Sequence, residues 1–140
     1  MTQEQVRLVQ ASLPAILDMR EVAAALFYKR LFDIDPSTRP LFAGVNMAKQ
    51  GTKLMSALGM IVGALSRLET FRPTIRDLAR RHVHYGVRPH HYDSVGAALL
   101  WTLERGLADA FTPELKTAWA AAYAVLSETM RDGVGETIAA

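Results

Sequence analysis

An all-α fold is predicted by three observations. Apolar residues recur at helical spacing along the chain, the alternating β-branched runs that mark strands are missing, and Pro and Gly punctuate the ends of the helical patterns. The single Asp-Gly dipeptide, Asp132-Gly133, lies in the tail and joins no two strands. Thr2 with Gln5 makes a capping box that opens a first helix, which carries Val6, Val9 and Leu13 and meets Pro14. A second runs from about Met19 to Phe32, with Val22, Leu26, Phe27 and Leu31 on one stripe. Asp35-Pro36 supplies an N-cap and a Pro at the first helical position for a short third helix ending near Phe42, and 43–47 is loop.

The fourth helix, from about Ala48 to Leu68, places Leu58, Ile61, Val62 and Leu65 four, seven, eight and eleven residues after Leu54. A fifth, from about Pro73 to His84, stops before Gly86, and Pro89 allows the next to begin. The last two span about His90 to Ala110, with Val95, Leu99 and Leu103 inward, and Pro113 to Met130, with Leu115, Trp119 and Tyr123 inward. Seven to eight helices result. Nothing repeats and no Ser/Gly linker divides the chain, so 1–140 is expected to be a single domain.

Composition narrows the function classes. A domain of this length buries roughly 68% of the surface its unfolded chain exposes, enough for a core without staples. Gly and Pro together make 15 of 140 residues, well under the roughly 25–30% at which low complexity is the default. With no cysteine, disulfide scaffolds, thiolate zinc sites, iron–sulfur clusters, cysteine nucleophiles and Cys-ligated haem are excluded. The longest uncharged run, Leu54 to Ser66, would span only about 20 Å as a helix, short of the roughly 30 Å core of a bilayer. Neither a membrane span nor a basic, apolar secretory leader is visible, and a cytoplasmic protein is expected.

The isoelectric point near 9.2 suggests nucleic acid, but a net charge of +2 is a weak footprint for phosphate binding. The charge is concentrated. Between Arg72 and His91 lie five arginines, one acid and all four histidines, a local +4 that leaves −2 for the remainder. This segment is either a solvated helix face or an anion site. On the fifth helix, the stripe of Ile75, Leu78 and Ala79 continues to 82 and 83, so His82 is expected on the inward face. His84 should point outward, with His90 and His91. An inward histidine is either a core residue donating to a carbonyl or a metal ligand. A zinc cluster from His82, His84, His90 and His91 is disfavoured because the first two lie on opposite faces.

Further motifs fall in order along the chain: Phe27-Tyr28, Pro36-x5-Phe42, Gln50-x3-Leu54, and Ile75-x2-Leu78-x3-His82-x4-Val87-x-Pro89-x2-Tyr92. On these the chain resembles, over essentially its full length, the bacterial single-domain haemoglobins and the globin domain of flavohaemoglobins. The resemblance implies a globin fold enclosing haem b. It implies that His82 binds the iron through Nε2 while Nδ1–H bonds a partner that sets ring orientation. It places Tyr92 near that imidazole, Phe42 stacked on the porphyrin and Val87 against it, with Val95 and Leu99 as further cofactor contacts. Tyr28, Gln50 and Leu54 match the family's distal trio. Tyrosine and glutamine donors there would hydrogen-bond a superoxide-like bound oxygen and slow its release, while Leu54 restricts the space. Arg81, with Lys53 across the pocket, is expected to pair with the haem propionates.

Two departures follow. Flavohaemoglobins carry a C-terminal flavin and nicotinamide reductase module, whereas this sequence ends at Ala140, which implies electrons from a separate reductase. The family's proximal Glu near the end of the last helix is replaced by Val134, with Asp132 and Glu136 displaced from it. The expected function is oxygen binding or carriage, or nitric oxide dioxygenation with that external reductase. The alternatives are a haem-based gas or redox sensor and a helical interaction module without haem. No nucleic-acid or membrane partner is expected, and the oligomeric state is open.

Overall fold

Thr2 caps the first helix as its sequence requires: its hydroxyl accepts from the Gln5 N–H, and the Gln5 side chain accepts from the Thr2 N–H. In the computed structural model that follows, residues 1–139 are described, with side chains given for all but 69 and 132–139. Six α-helices are present: α1 (Gln3–Asp18), α2 (Arg20–Ile34), α3 (Met47–Gly63), α4 (Leu68–His84), α5 (Pro89–Leu107) and α6 (Pro113–Ala139). Three 3-10 segments, Pro36–Phe42, Leu65–Arg67 and Ala108–Ala110, join them, and no strand occurs among the described residues.

The expected elements are present with shifted boundaries. α1 continues through Pro14, and α4 begins before Pro73 rather than at it. Both prolines lie on the exposed side of their helices. The helix expected to run to Leu68 ends at Gly63, and a 3-10 turn then reorients the chain into α4. Asp35 caps Pro36–Phe42, its carboxylate accepting from the Ser37 N–H at 3.1 Å. The inward stripe of α2 is rotated from the expected one: Val22 is 56% exposed, and Ala23, Ala24, Phe27, Tyr28 and Leu31 are buried. The alanines face inward because α3 crosses there at very close range. A Cβ on Gly51 would stand 2.9 Å from the Ala24 Cβ.

α1 packs on α6 and α3, α2 packs on α5 and α3, and α5 on α6. The main core gathers Val9, Leu13, Ile16, Met55, Leu103 and Trp119, with the Trp119 indole donating to Ser12 Oγ at 2.8 Å. Two smaller apolar clusters adjoin it, sharing Leu54, Leu99 and Leu68 at their edges. One joins α2 to α5 through Phe27, Tyr28, Leu31 and Ala98, edged by Phe42, Leu54, Val95 and Leu99. The other joins α4 to α5 and α6 through Ile75, Ala79, Tyr92 and Met130, edged by Leu78, Val83 and Val87. α4 rests on α6 and the Leu65–Arg67 turn; among the described residues it makes no substantial packing against α2 or α3. α4 and the α2–α3 pair are thus packed on different neighbours rather than on each other. No helix is long and apolar enough to cross a membrane among the described residues.

Candidate functional site

The close crossing of α2 and α3 builds one wall. Ala24 lies one turn before Tyr28, and Gly51 follows Gln50, so the contact at Ala24 and Gly51 brings those two polar side chains together. The Gln50 amide donates to the Tyr28 hydroxyl at 3.2 Å. Tyr28 is buried, and burial pushes its phenol above the ordinary range, opposed by the bond from Gln50. It is therefore a neutral donor throughout the physiological range. Because its oxygen accepts from Gln50, its own O–H proton is left to donate elsewhere. Phe42 crosses Tyr28 edge to face at 5.3 Å and Phe32 at 5.6 Å, closing this wall with rings. Leu54, Val95 and Leu99 pack half-buried against the same cluster.

The second group of candidate residues is carried by α4 and the turn after it. His82 is half-buried, and its Nδ1–H donates to the Leu78 carbonyl one turn back at 2.7 Å. That bond fixes the tautomer: Nε2 carries the lone pair, and no group among the described residues bonds it. Val87 follows the helix and packs half-buried with Ile75, Ala79 and Tyr92. The Tyr92 hydroxyl is buried with no hydrogen-bond partner among the described residues, and burial raises its pKa. The structure brings Gln50 onto Tyr28, and it packs Val87 with Tyr92 while the Val87 N–H donates to the His82 carbonyl at 3.0 Å.

Other expectations are corrected or sharpened. Arg81 is exposed, and its guanidinium pairs with Asp77 one turn earlier at 2.6 Å. Lys53 is exposed on α3. His84 points outward as expected, and so does His90, but His91 is buried. The reason is a cap: His91 is the third residue of α5, and its Nδ1 accepts from the Arg88 N–H at 2.9 Å. With Nδ1 accepting, Nε2 carries the proton, 3.1 Å from Ser37 Oγ, which itself donates to Asp35. The four-histidine zinc cluster does not form. Asp35, His90 and His91 do converge, with ligand atoms within 4.8 Å of one another, yet a metal on His91 Nε2 would turn Nδ1–H against the Arg88 N–H. Asp132, Val134 and Glu136 have side chains outside the described residues. Gly51 and Ala24, which set the distal pair, were not singled out in the sequence. A glycine inside a helical pattern, costly by about 1 kcal/mol against Ala, was their signal.

The described residues fit a planar, largely apolar group with a metal at its centre. Two apolar clusters are edged by half-buried side chains, an imidazole nitrogen on α4 has its lone pair free, and neutral donors stand on α2 and α3. The class this defines is the globins, and the globin family model matches residues 25–130, so the chain belongs to the globin family. It is similar to a globin-like protein of Aquifex aeolicus, 32% identical over 93% of this chain and 91% of that protein. The flavohaemoprotein of Deinococcus radiodurans is 32% identical over 93% of this chain but only 33% of its own length, so the chain spans about a third of the curated flavohaemoproteins it matches. Among solved structures, a bacterial globin from Campylobacter jejuni superposes with TM-score 0.85 at 26% identity, covering 99% of this chain and 100% of that one. An engineered carbene transferase, from a proposed nitric oxide dioxygenase of Rhodothermus marinus, gives TM-score 0.86 at 28% identity, with 99% and 96% covered. Globins and flavohaemoproteins are haem proteins.

Proposed function

We propose that this chain holds haem b between α4 and the α2–α3 pair, with His82 Nε2 as the protein ligand to iron. We further propose that it binds oxygen, with nitric oxide dioxygenation, fed by a separate reductase, as its reaction. One observation carries the reading: the Nδ1–H bond to the Leu78 carbonyl presents His82 Nε2 with its lone pair free, and the Tyr28–Gln50 pair supports it with a neutral donor on α2 and α3. When bound, haem supplies an iron that can hold a diatomic gas and exchange single electrons.

The chain's own residues do the rest. Gln50 anchors the Tyr28 oxygen, so the phenol proton is aimed rather than shared. Phe42, Leu54, Val87, Val95 and Leu99 exclude water, which strengthens any bond Tyr28 donates. The acceptor for His82 Nδ1 is a neutral carbonyl rather than a carboxylate, which pushes less electron density through the imidazole and favours holding a gas over cleaving it. Arg81 can exchange Asp77 for a propionate at little cost, because both partners of that exposed pair are hydrated. Lys53 offers a second cation from α3. Relatives described as flavohaemoproteins, and a neighbour derived from a proposed nitric oxide dioxygenase, support the gas chemistry.

The test is the visible spectrum of the protein expressed with ample haem precursor. A Soret band that His82→Ala abolishes or greatly weakens is expected, and no band in the parent overturns the reading. Rapid mixing of the oxygenated form with nitric oxide should then yield nitrate stoichiometrically, with turnover only when an electron donor is added. Nitric oxide left unconsumed would remove the dioxygenase assignment and leave oxygen carriage.

A further inference from the structure

The first turn of α5 carries two adjacent histidines, neither of which belongs to the candidate haem site. Neighbours in sequence do not face each other on a helix. Here the two imidazoles nevertheless lie with ring centroids 4.1 Å apart, and both Nε2 atoms turn towards the Pro36–Phe42 segment. His90 Nε2 stands 3.4 Å and His91 Nε2 3.1 Å from the same Ser37 Oγ. Asp35, which caps that segment, brings its Oδ2 to 3.8 Å from His90 Nε2. One donor atom from each of Asp35, His90 and His91 thus lies within 4.8 Å of the other two. The carboxylate is held in this pose, since Ser94 Oγ donates to its Oδ2 at 2.8 Å and the Ser37 N–H to its Oδ1 at 3.1 Å. Hydrogen bonds of this kind orient the carboxylates that bind metals. The cluster is partly enclosed: His91 is buried and the Asp35 side chain is 14% exposed, while His90, at 57%, leaves one side open.

We propose that Asp35, His90 and His91 form a binding site for Zn2+, held by the carboxylate and the two Nε2 atoms with water in the fourth position. The site does not depend on the haem reading. Two imidazoles and a carboxylate suit this ion, whereas Mg2+ and Ca2+ take oxygen donors. Donors on a tetrahedral zinc with bonds of about 2.0–2.1 Å stand roughly 3.3–3.4 Å apart, so the 3.8 Å between His90 and Asp35 needs little closure. Ser37 Oγ now lies between the donors, and as part of an exposed residue it can rotate out to water. One further rearrangement is required. His91 Nδ1 accepts from the Arg88 N–H at 2.9 Å, and a metal on Nε2 places the ring proton on Nδ1. Zinc therefore takes His91 in exchange for the cap of α5, and the N–H of Arg88, an exposed residue, passes to water. Coordination and the cap exclude each other, which gives this site a mark that loose adsorption to surface histidines lacks.

The experiment titrates zinc chloride into the full chain at neutral pH, after treatment with a chelator and its removal, and follows binding by calorimetry. One equivalent should bind. His90→Gln and Asp35→Asn should each weaken binding about tenfold or more, while His84→Gln, at an exposed position on α4, leaves it unchanged. Both ligand variants keep the fold, because His90 is exposed and asparagine still accepts from the Ser37 N–H. In amide NMR spectra, saturating zinc should shift the Arg88 N–H and quicken its exchange with water. Zinc that fails to bind the parent, or binds His90→Gln equally well, overturns the site. An Arg88 amide that zinc leaves unchanged removes His91 from the ligands and overturns the three-residue site as well. Calcium or magnesium binding as tightly overturns the choice of ion. The Soret band plays no part in these readouts, so failure here leaves the haem reading as it stands.

Discussion

The close crossing of α2 and α3 can be tested with one methyl group. Gly51→Ala places a Cβ 2.9 Å from the Ala24 Cβ, and neither atom belongs to a side chain that can rotate away. Ordinary carbon contacts lie at about 3.5–4.0 Å, so the helices must part by about 0.6–1.1 Å at this point. Two effects oppose each other in stability. Alanine in place of glycine in a helix interior gains about 1 kcal/mol, whereas overpacking a close contact costs about 1–3 kcal/mol. Overpacking wins, and a net loss of about 1 kcal/mol should lower the melting temperature by about 3 °C.

The same displacement acts on the distal pair. Gln50 precedes Gly51, and its bond to Tyr28, already 3.2 Å long, would stretch beyond hydrogen-bond range. Loss of a neutral hydrogen bond worth about 1 kcal/mol corresponds to about a fivefold effect on the equilibrium it supports. Oxygen release, measured by stopped-flow displacement with carbon monoxide, should therefore accelerate about fivefold. Ala24→Gly in the Gly51→Ala background removes the clash, so the release rate and the melting temperature should both return towards the parent's, the glycine now inside α2 offsetting the one removed from α3. A Gly51→Ala protein that is more stable than the parent and releases oxygen at the parent's rate would refute the reasoning.

Other predictions follow from single observations. Tyr28→Phe removes the neutral donor of the distal wall and should speed oxygen release by about tenfold or more, since hydrogen bonds to a charged partner are worth about 1.5–3 kcal/mol; an unchanged rate in the same displacement assay would remove Tyr28 from the site. Arg81→Ala frees Asp77 and withdraws a cation that can meet a propionate, so haem transfer to an apo-myoglobin acceptor should be faster than from the parent, and equal transfer rates would leave Arg81 with its Asp77 pair alone. His91 is held below the ordinary histidine range by burial first, then by His90, with Arg88 adding and Asp35 opposing. The unfolded chain therefore takes up this proton before the folded one. Stability should be level above about pH 6.5 and fall as pH drops below it, and His91→Gln should flatten that fall in urea midpoints taken between neutral and mildly acid pH.

The parts of the site that were legible in the sequence are those set by local periodicity. His82 continues the stripe of Ile75, Leu78 and Ala79, and the carbonyl it bonds belongs to Leu78, one turn back. Asp35-Pro36 and Thr2 with Gln5 announced their caps, because a cap is a contact between residues two or three apart. Contacts between distant segments were not legible. The inward face of α2 is decided by the approach of α3, so Val22 looked as eligible as Ala23 until Gly51 fixed the crossing. The placement of His91 depends on Ser37 and Asp35, more than fifty residues away in sequence. Gly63 was a local sign that the fourth helix ends early, although nothing after it forbids continuation. Without the resemblance to haemoglobins, neither Tyr28 nor Gln50 would have been chosen.

These two kinds of information meet in the candidate site. α2 and α3 are drawn together at Ala24 and Gly51, where the side chains are too small to hold them apart, and this puts Gln50 on Tyr28. α4 packs instead on α6 through Ile75, Ala79 and Met130, and its inward stripe is left half-buried towards His82 rather than capped by another helix. Apolar area left in this state is costly in water at about 25 cal/mol per Å², and Leu78, Val83, Val87, Leu54 and Phe42 all remain half-buried, as a sequence shaped around an occupant would leave them. Packing and hydrogen bonding can be disturbed separately there, Gly51 for the packing and Tyr28 for the hydrogen bonds.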